Sequence, residues 1–258
     1  MTAAVPTQPI YPSRRTTRRV DHTAGFVLHS YPFRETSLII ETWTELHGRV
    51  ALVARGARRP RSELRGLLQP FTPLLLSWSG KNELRTLHKA EWQGGLVLPQ
   101  GMGLLCGFYI NELLLKLLAR DDPHPGLFSP YQHALAALHG VAHAQRYAMI
   151  LRRFEQRLLA ELGYAQPFTH DAEHHLPIHG ELSYHYQFER GALLDNGGAS
   201  PPYSMRLRGK TLLDLANDDY SDPLSLAQGK QLMRHIINHH LAGQTLHARD
   251  LLKDLQQL

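Results

Sequence analysis

The strongest constraint on the fold is a change of hydrophobic period near Gly101. Upstream, apolar residues come in short runs, Gly25 to Tyr31, Ser37 to Trp43 and Arg49 to Ala54, separated by the turn chemistry of Tyr31-Pro32-Phe33-Arg34-Glu35 and Leu46-His47-Gly48. A fourth run, Leu67 to Trp78, contains Pro70 and Pro73, which confine it to an edge or a bulge near its start. Ser79-Gly80-Lys81-Asn82 then closes a hairpin into Glu83 to Trp92. Five short strands in about 70 residues predict a small closed or partly open barrel of OB type, with an SH3-like barrel as the alternative.

Downstream the period is helical. Tyr147, Ile150, Leu151, Phe154, Leu158 and Leu162 recur at i, i+3, i+4, i+7 spacing, and Gly163 supplies the C-terminal stop. Leu104 to Leu118, Tyr131 to Leu138, Leu224 to Leu241 and Ala248 to Leu258 also read as helices, with Asp222 and Pro223 as N-cap and first helical residue of the fourth. Residues 165–210 break the pattern through Gly191, Gly197, Gly198, Pro201 and Pro202, while Tyr184, Tyr186 and Phe188 alternate like a strand. An irregular insertion with at most a small sheet is predicted there. The chain therefore reads as α+β: a basic tail over 1–22, an OB-fold nucleic-acid-binding domain over 23–98, and a mainly helical domain over 99–258 carrying the insertion.

Charge separates the same two parts. Residues 1–92 hold 14 Lys and Arg against 7 Asp and Glu, whereas residues 93–258 hold 14 against 16, so the whole positive excess is N-terminal. Such asymmetry is the footprint of an anionic partner. A membrane surface would satisfy the same electrostatics, but Asn111, Glu112 and Lys116 interrupt the longest apolar run, which excludes a spanning helix. The first 22 residues combine Pro6, Pro9 and Pro12 with Arg14, Arg15, Arg18 and Arg19 and have no apolar h-region, so a disordered basic tail is expected rather than a secretory signal. A transit peptide would share the arginines, but the proline spacing argues against the amphipathic helix it needs.

Ala54 to Gly66 packs five Arg and two Gly into a loop between strands. Each guanidinium can grip two phosphate oxygens, and the glycines allow close backbone approach. Tyr31, Phe33, Trp43 and Trp78 are candidate stacking rings, or simply core. No catalytic set accompanies them. Ser79-Gly80-Lys81 lacks the upstream Gly of a phosphate-binding loop, and there is no G-x-S-x-G or H-E-x-x-H, so no enzyme is expected. Cys106, the single cysteine, excludes an internal disulfide and any Cys-only zinc site, and suits a reducing cytoplasm. His170, His174, His175, His179 and His185 in the insertion, with His235 and His239 on one helix face, could ligate zinc, but a four-ligand site without Cys is uncommon; no metal or cofactor is expected.

Phe26-Val27-Leu28-His29-Ser30, Arg34-Glu35-Thr36-Ser37-Leu38, the run from His47 to Arg58, Leu68 to Leu74, Lys81 to Leu87, Tyr109-Ile110-Asn111-Glu112-Leu113-Leu114, Leu151-Arg152-Arg153-Phe154-Glu155 and Leu246-x-x-Arg249-x-Leu251 together resemble the RecO family of DNA repair proteins. The resemblance spans all but the first 20 or so residues. It implies an N-terminal OB-fold, a helical C-terminal domain and a non-catalytic role: binding ssDNA and dsDNA, annealing complementary strands, and helping RecR load RecA onto DNA coated by single-strand-binding protein (SSB). Many members carry a four-cysteine zinc module where this chain has residues 165–190 and no Cys, so the chain resembles the zinc-free branch. The DNA-contacting candidates are Arg34, Arg49, Arg55, Arg58, Arg59, Arg61, Arg65, Lys81 and Arg85. Arg152 with Arg153 is the candidate for meeting the acidic SSB tail, a contact the family makes on its helical domain. An OB-fold RNA-binding factor and a His-ligated metal hydrolase are the competing readings.

Overall fold

The computed structural model describes residues 19–164 and 167–256; the arginines at 14, 15 and 18 lie outside them. Strands β1 (Arg19–Phe33), β2 (Ser37–Thr44), β3 (Gly48–Ala54), β4 (Leu74–Ser79) and β5 (Leu84–Trp92) close into a barrel in the order β1-β2-β3-β5-β4. Closure comes from a parallel contact, Ala51 to Val53 against Leu84 to Thr86. Alternation sends Val27, Ile40, Val50, Leu52, Leu74, Leu76 and Trp78 into the barrel interior. β1 begins at Arg19 and pairs at once with Ser79 and Trp78 of β4, inside the stretch that composition assigns to the tail. Pro70 and Pro73 precede β4 rather than sitting in it, after a single turn α1 (Leu64–Leu67). Neither proline therefore removes a donor from the ladder.

A bulge between Val27 and His29 resets the alternation of β1. Phe26 lies opposite Trp43 and His29 opposite Glu41, so both ends of the strand present side chains to the outer face. On that face Phe26, Leu28 and Trp43 join the core of the helical body rather than that of the barrel.

The helical body is built from α2 (Met102–Leu117), α3 (Pro125–Ala137), α4 (Ala144–Glu161), α5 (Gly209–Ala216), α6 (Pro223–His240) and α7 (His247–Gln256). α2 is its axle. Asn111, fully buried, donates from Nδ2 to the Leu28 carbonyl of β1 (3.0 Å) and accepts the Tyr131 hydroxyl of α3 (2.8 Å). One residue on, Glu112 accepts the backbone N–H groups of His247 and Ala248, both at 2.9 Å, and so caps the start of α7. Burial pushes the Glu112 carboxyl up, but Lys116 and these two N–H groups together hold it below the ordinary carboxylate value. The loop after α2 returns to the barrel, where Asp121 N–H donates to the Arg49 carbonyl (2.9 Å). Gly48 makes that return possible: it sits at φ +64°, and a side chain there would collide with the Asp122 carbonyl at 2.1 Å. Further along, α6 starts as the sequence predicts, with Asp222 Oδ1 accepting from Leu224 N–H and Pro223 first in the helix.

The insertion holds a small sheet, β6 (Ser183–Gln187), β7 (Gly191–Leu194) and β8 (Ser204–Arg208), in the order β7-β6-β8. Tyr184, Tyr186, Ala192 and Leu207 bury one face of it in the helical core. The short helix α5, absent from the sequence reading, follows β8 directly. Ahead of the sheet, buried Asp171 organises a tight loop by accepting the N–H groups of Glu173 (3.0 Å), His174 (2.6 Å) and Leu176 (2.7 Å). These backbone donors, led by His174, hold the Asp171 carboxyl below its usual range. A depressed folded-state pKa stabilises fully above the unfolded value of about 4 and is lost as pH falls through the folded value. Asp171→Asn is expected to lower the thermal midpoint at pH 7, with the gap to the unaltered protein closing on acidification below about pH 4; midpoints across a pH series check this.

Candidate nucleic-acid interface

The loop that leaves β3 folds back on the β1–β2 turn. Ala57 is buried and anchors it, Arg58 N–H donates to the Thr36 carbonyl (2.9 Å), and Arg59 N–H to that of Gly56 (3.0 Å). The Arg58 guanidinium reaches the Arg34 and Glu35 carbonyls at 3.4 Å each. Arg34 itself has φ +51° and lies over the Phe33 ring, 5.2 Å from its centre. Two turns distant in sequence are thereby joined into one cationic edge. Arg34, Arg55, Arg58, Arg59, Arg61 and Arg65 are all exposed there, and Lys81 is exposed on the β4–β5 turn. Among the described residues none of these seven makes an ion pair. Like charges held together without carboxylate partners raise the local potential, which an anion of matching pitch would relieve.

Arg49 and Arg85 differ from the rest of the predicted set. Arg49 Nη1 donates to the Leu118 carbonyl (2.8 Å) and that of Leu115, and its Nε lies 3.4 Å from buried Glu41. Arg120, from the loop after α2, pairs with the same carboxylate, and Arg85 pairs with Asp121 at 2.7 Å. These three arginines fasten barrel to helical body. Sequence reasoning missed Arg120 because its partner lies 79 positions away. The aromatic candidates also divide: Trp43 and Trp78 are fully buried core, Phe33 is half-buried, and Tyr31 is 47% exposed.

On the helical body Arg152 is only 6% exposed and is bound to Glu155, whose carboxylate also accepts the Tyr109 hydroxyl at 2.7 Å. Burial raises the Glu155 pKa against the opposing pull of Arg152 and Tyr109. Arg152 is thus an internal strut, not the accessible cation the sequence reading placed there. Arg153 is half-exposed, 2.7 Å from Asp218, and stands at the mouth of a groove of ≈ 390 Å³ between α4, α5, α6 and β6. Leu159, Tyr186, Leu215 and Ile236 line it and Arg157, unflagged in the sequence, stands beside Arg153.

The histidines do not assemble. His185 is buried against Asp195 (3.6 Å), and His235 and His239 stack on Phe188 at 6.2 and 5.4 Å. The Asp171 carboxylate is occupied by backbone donors, and among the described residues no three His, Cys, Asp or Glu side chains are placed to share a metal ion. The donor set does not fit a zinc module. Cys106 is buried, with its thiol pushed up to about 11 by that burial. Among the described residues no helix is long and apolar enough to cross a membrane.

A closed five-stranded barrel of OB type, with an arginine edge that makes no ion pair among the described residues, is fused to a helical body and defines an α+β protein. The comparisons narrow the class. Residues 19–95 match the family model for the recombination protein O N terminal and residues 100–250 that for its C terminal. The DNA repair protein RecO of Nitrosospira multiformis is 54% identical over 241 residues, 93% of this chain and 98% of that protein. Those of Thiobacillus denitrificans and Azoarcus sp. are 52% and 49% identical, each over 93% of this chain. The chain belongs to the RecO family of DNA repair proteins.

Removing one partner of a buried ion pair leaves the other charge uncompensated. Arg152→Ala is expected to destabilise the protein by about 3–5 kcal/mol, and the double replacement Arg152→Met, Glu155→Leu to recover part of that loss; urea unfolding of the two variants checks both.

Proposed function

We propose that this chain is a non-catalytic recombination mediator of the bacterial cytoplasm. It binds single- and double-stranded DNA on the arginine edge of its barrel and anneals complementary strands without nucleotide hydrolysis. It also helps RecR load RecA on DNA coated by SSB. The observation that carries this reading is the set of six exposed arginines from two adjoining turns, none engaged by a carboxylate among the described residues. Guanidinium groups that neutralise phosphates release condensed counterions and reduce the repulsion between two strands, which is the physical requirement of annealing. Membership of a DNA repair family favours DNA over RNA as the polymer.

Arg49 and Arg85 have internal partners and act by holding the barrel against the helical body, so the DNA contact is assigned to Arg34, Arg55, Arg58, Arg59, Arg61, Arg65 and Lys81. For the SSB tail, an acidic peptide ending in apolar residues, the groove offers Arg157, with Arg153 paired to Asp218 beside it, and a largely apolar lining. Arg152 and Glu155 do not line that groove and pair with each other inside the helical body.

Seven phosphate contacts to a single strand give a salt slope near −5, at about 0.7 per contact. Arg58→Glu with Arg59→Glu is expected to reduce the slope by about 1.4 and to slow annealing of SSB-coated oligonucleotides; fluorescence anisotropy across a salt series measures it, and an unaltered slope refutes the assignment of this loop. Arg153→Ala with Arg157→Ala is expected to weaken binding of a free SSB tail peptide about tenfold, the scale of losing charge-assisted bonds, and to leave naked DNA binding in place; titration calorimetry with the peptide and anisotropy with DNA separate the two.

A further inference from the structure

The outer face of β1, β2 and β3 is one continuous surface with two fates. Phe26, Leu28 and Trp43 at one end of it are covered by Phe128 and Tyr131 of α3. Beyond the bulge, His29, Tyr31 and Phe33 continue on the same face, His29 and Tyr31 exposed and Phe33 half-buried. Cross-strand register places Tyr31 beside Ile39 and Ile39 beside Val53, and neither Ile39 nor Val53 belongs to either buried core. The result is a small apolar ledge with one large, nearly half-exposed ring.

Its surroundings specify the occupant. At one side stands the arginine edge, where Arg34 follows Phe33 and Arg58 is tied to the Arg34 carbonyl. Across the sheet, Arg49 and Arg120 are committed to Glu41 and add no free cation. Of the acidic groups nearby, Glu41 is buried between Arg49 and Arg120 and Asp121 pairs with Arg85, while Glu35 on the β1–β2 turn and Glu83, 3.8 Å from Arg120, are exposed. His29 meets Tyr31 edge-on, with ring centres 4.4 Å apart, which steadies the ring while leaving a face uncovered. An exposed flat ring beside a row of cations that make no ion pair among the described residues matches a polymer of flat bases on an anionic backbone. It matches only an unpaired strand, because bases in a duplex are already stacked on each other and do not offer a free face.

We propose that the outer face of β1–β3, with Tyr31 as its stacking ring, is a subsite selective for single-stranded DNA and separable from the arginine edge beside it. The arginine edge reads phosphates and treats single and double strands alike. The ledge reads unpaired bases and gives the barrel its preference between DNA forms. During annealing the ledge holds one strand by its bases while the arginines attract the second, and the paired product leaves the ledge because its bases have turned inward.

This inference rests on the proposed DNA-binding function, and the test distinguishes failure of one from failure of the other. Affinities for a single-stranded oligonucleotide and for a duplex of equal length are measured by anisotropy at fixed salt for the unaltered chain, Tyr31→Ala and Tyr31→Phe. Alanine truncation of a stacking ring weakens binding about five- to hundredfold. Tyr31→Ala is expected to show that loss on the single strand and none on the duplex, and Tyr31→Phe, which keeps the ring, to bind as the unaltered chain does. A loss that is equal on both forms, or absent, overturns the ledge while leaving the arginine edge standing. If the unaltered chain binds neither form, the DNA-binding reading itself fails. Photocrosslinking of the unaltered chain to a strand carrying 5-iodouracil gives an answer independent of any variant. Adducts at Tyr31 support the ledge, and adducts confined to residues 55–65 refute it. Tighter binding of single-stranded RNA, carrying the whole Tyr31 effect, reassigns the ledge to RNA and overturns the proposal as stated.

Discussion

The structure depends on the need to cover an apolar stripe on the outside of a small barrel. Phe26, Leu28 and Trp43 point away from the barrel interior, and exposed together they would form a patch that a soluble chain does not tolerate. The helical body supplies the cover through α2 and α3. Asn111 fixes the seat by satisfying the Leu28 carbonyl exactly where the bulge leaves β1 irregular. The two parts recognised by separate family models therefore share a core, and the barrel cannot be removed from the helices without exposing Trp43.

Charge is divided between two tasks. Some arginines are internal fasteners: Arg49, Arg85 and Arg120 at the junction, and Arg152 within the helices. Buried pairs of this kind add little net stability relative to well-packed apolar groups, because desolvation offsets their attraction. What they supply is geometry. Glu41 accepts Arg49 from the neighbouring strand and Arg120 from the helical side, which fixes the height of one part on the other. Six others, Arg34, Arg55, Arg58, Arg59, Arg61 and Arg65, make no ion pair among the described residues and collect at one edge, where the same side chain serves an external anion.

Some of this was legible in the sequence and some was not, for definite reasons. Turn chemistry at Pro32 to Glu35 and Leu46 to Gly48 marked the barrel, and Asp222-Pro223 marked the start of α6, because both signals act within a few residues. The arginine loop was visible as composition. The fasteners were not, since Arg49 and Arg152 look like any surface cation until the carbonyls of Leu118 and Lys230, each more than 60 positions away, are brought to them. Trp43 could not be assigned to a face because an unseen bulge shifts the phase of the strand beside it. The helix α5 was hidden by its brevity, and the first four residues of β1 by the position of Arg19 at the end of the tail's arginine cluster.

That bulge sets more than a register. If Leu28 were paired in a regular ladder rather than bulged, strict alternation would carry His29, Tyr31 and Phe33 into the barrel and turn Ser30 and Pro32 outward. Three rings would then compete for the volume filled by Val27, Ile40 and Leu52, and the outer surface would offer only a hydroxyl and a proline. The bulge therefore sets the chemical identity of half a strand: it absorbs Leu28 without changing the face that His29, Tyr31 and Phe33 present, which regular pairing of the same residues would reverse.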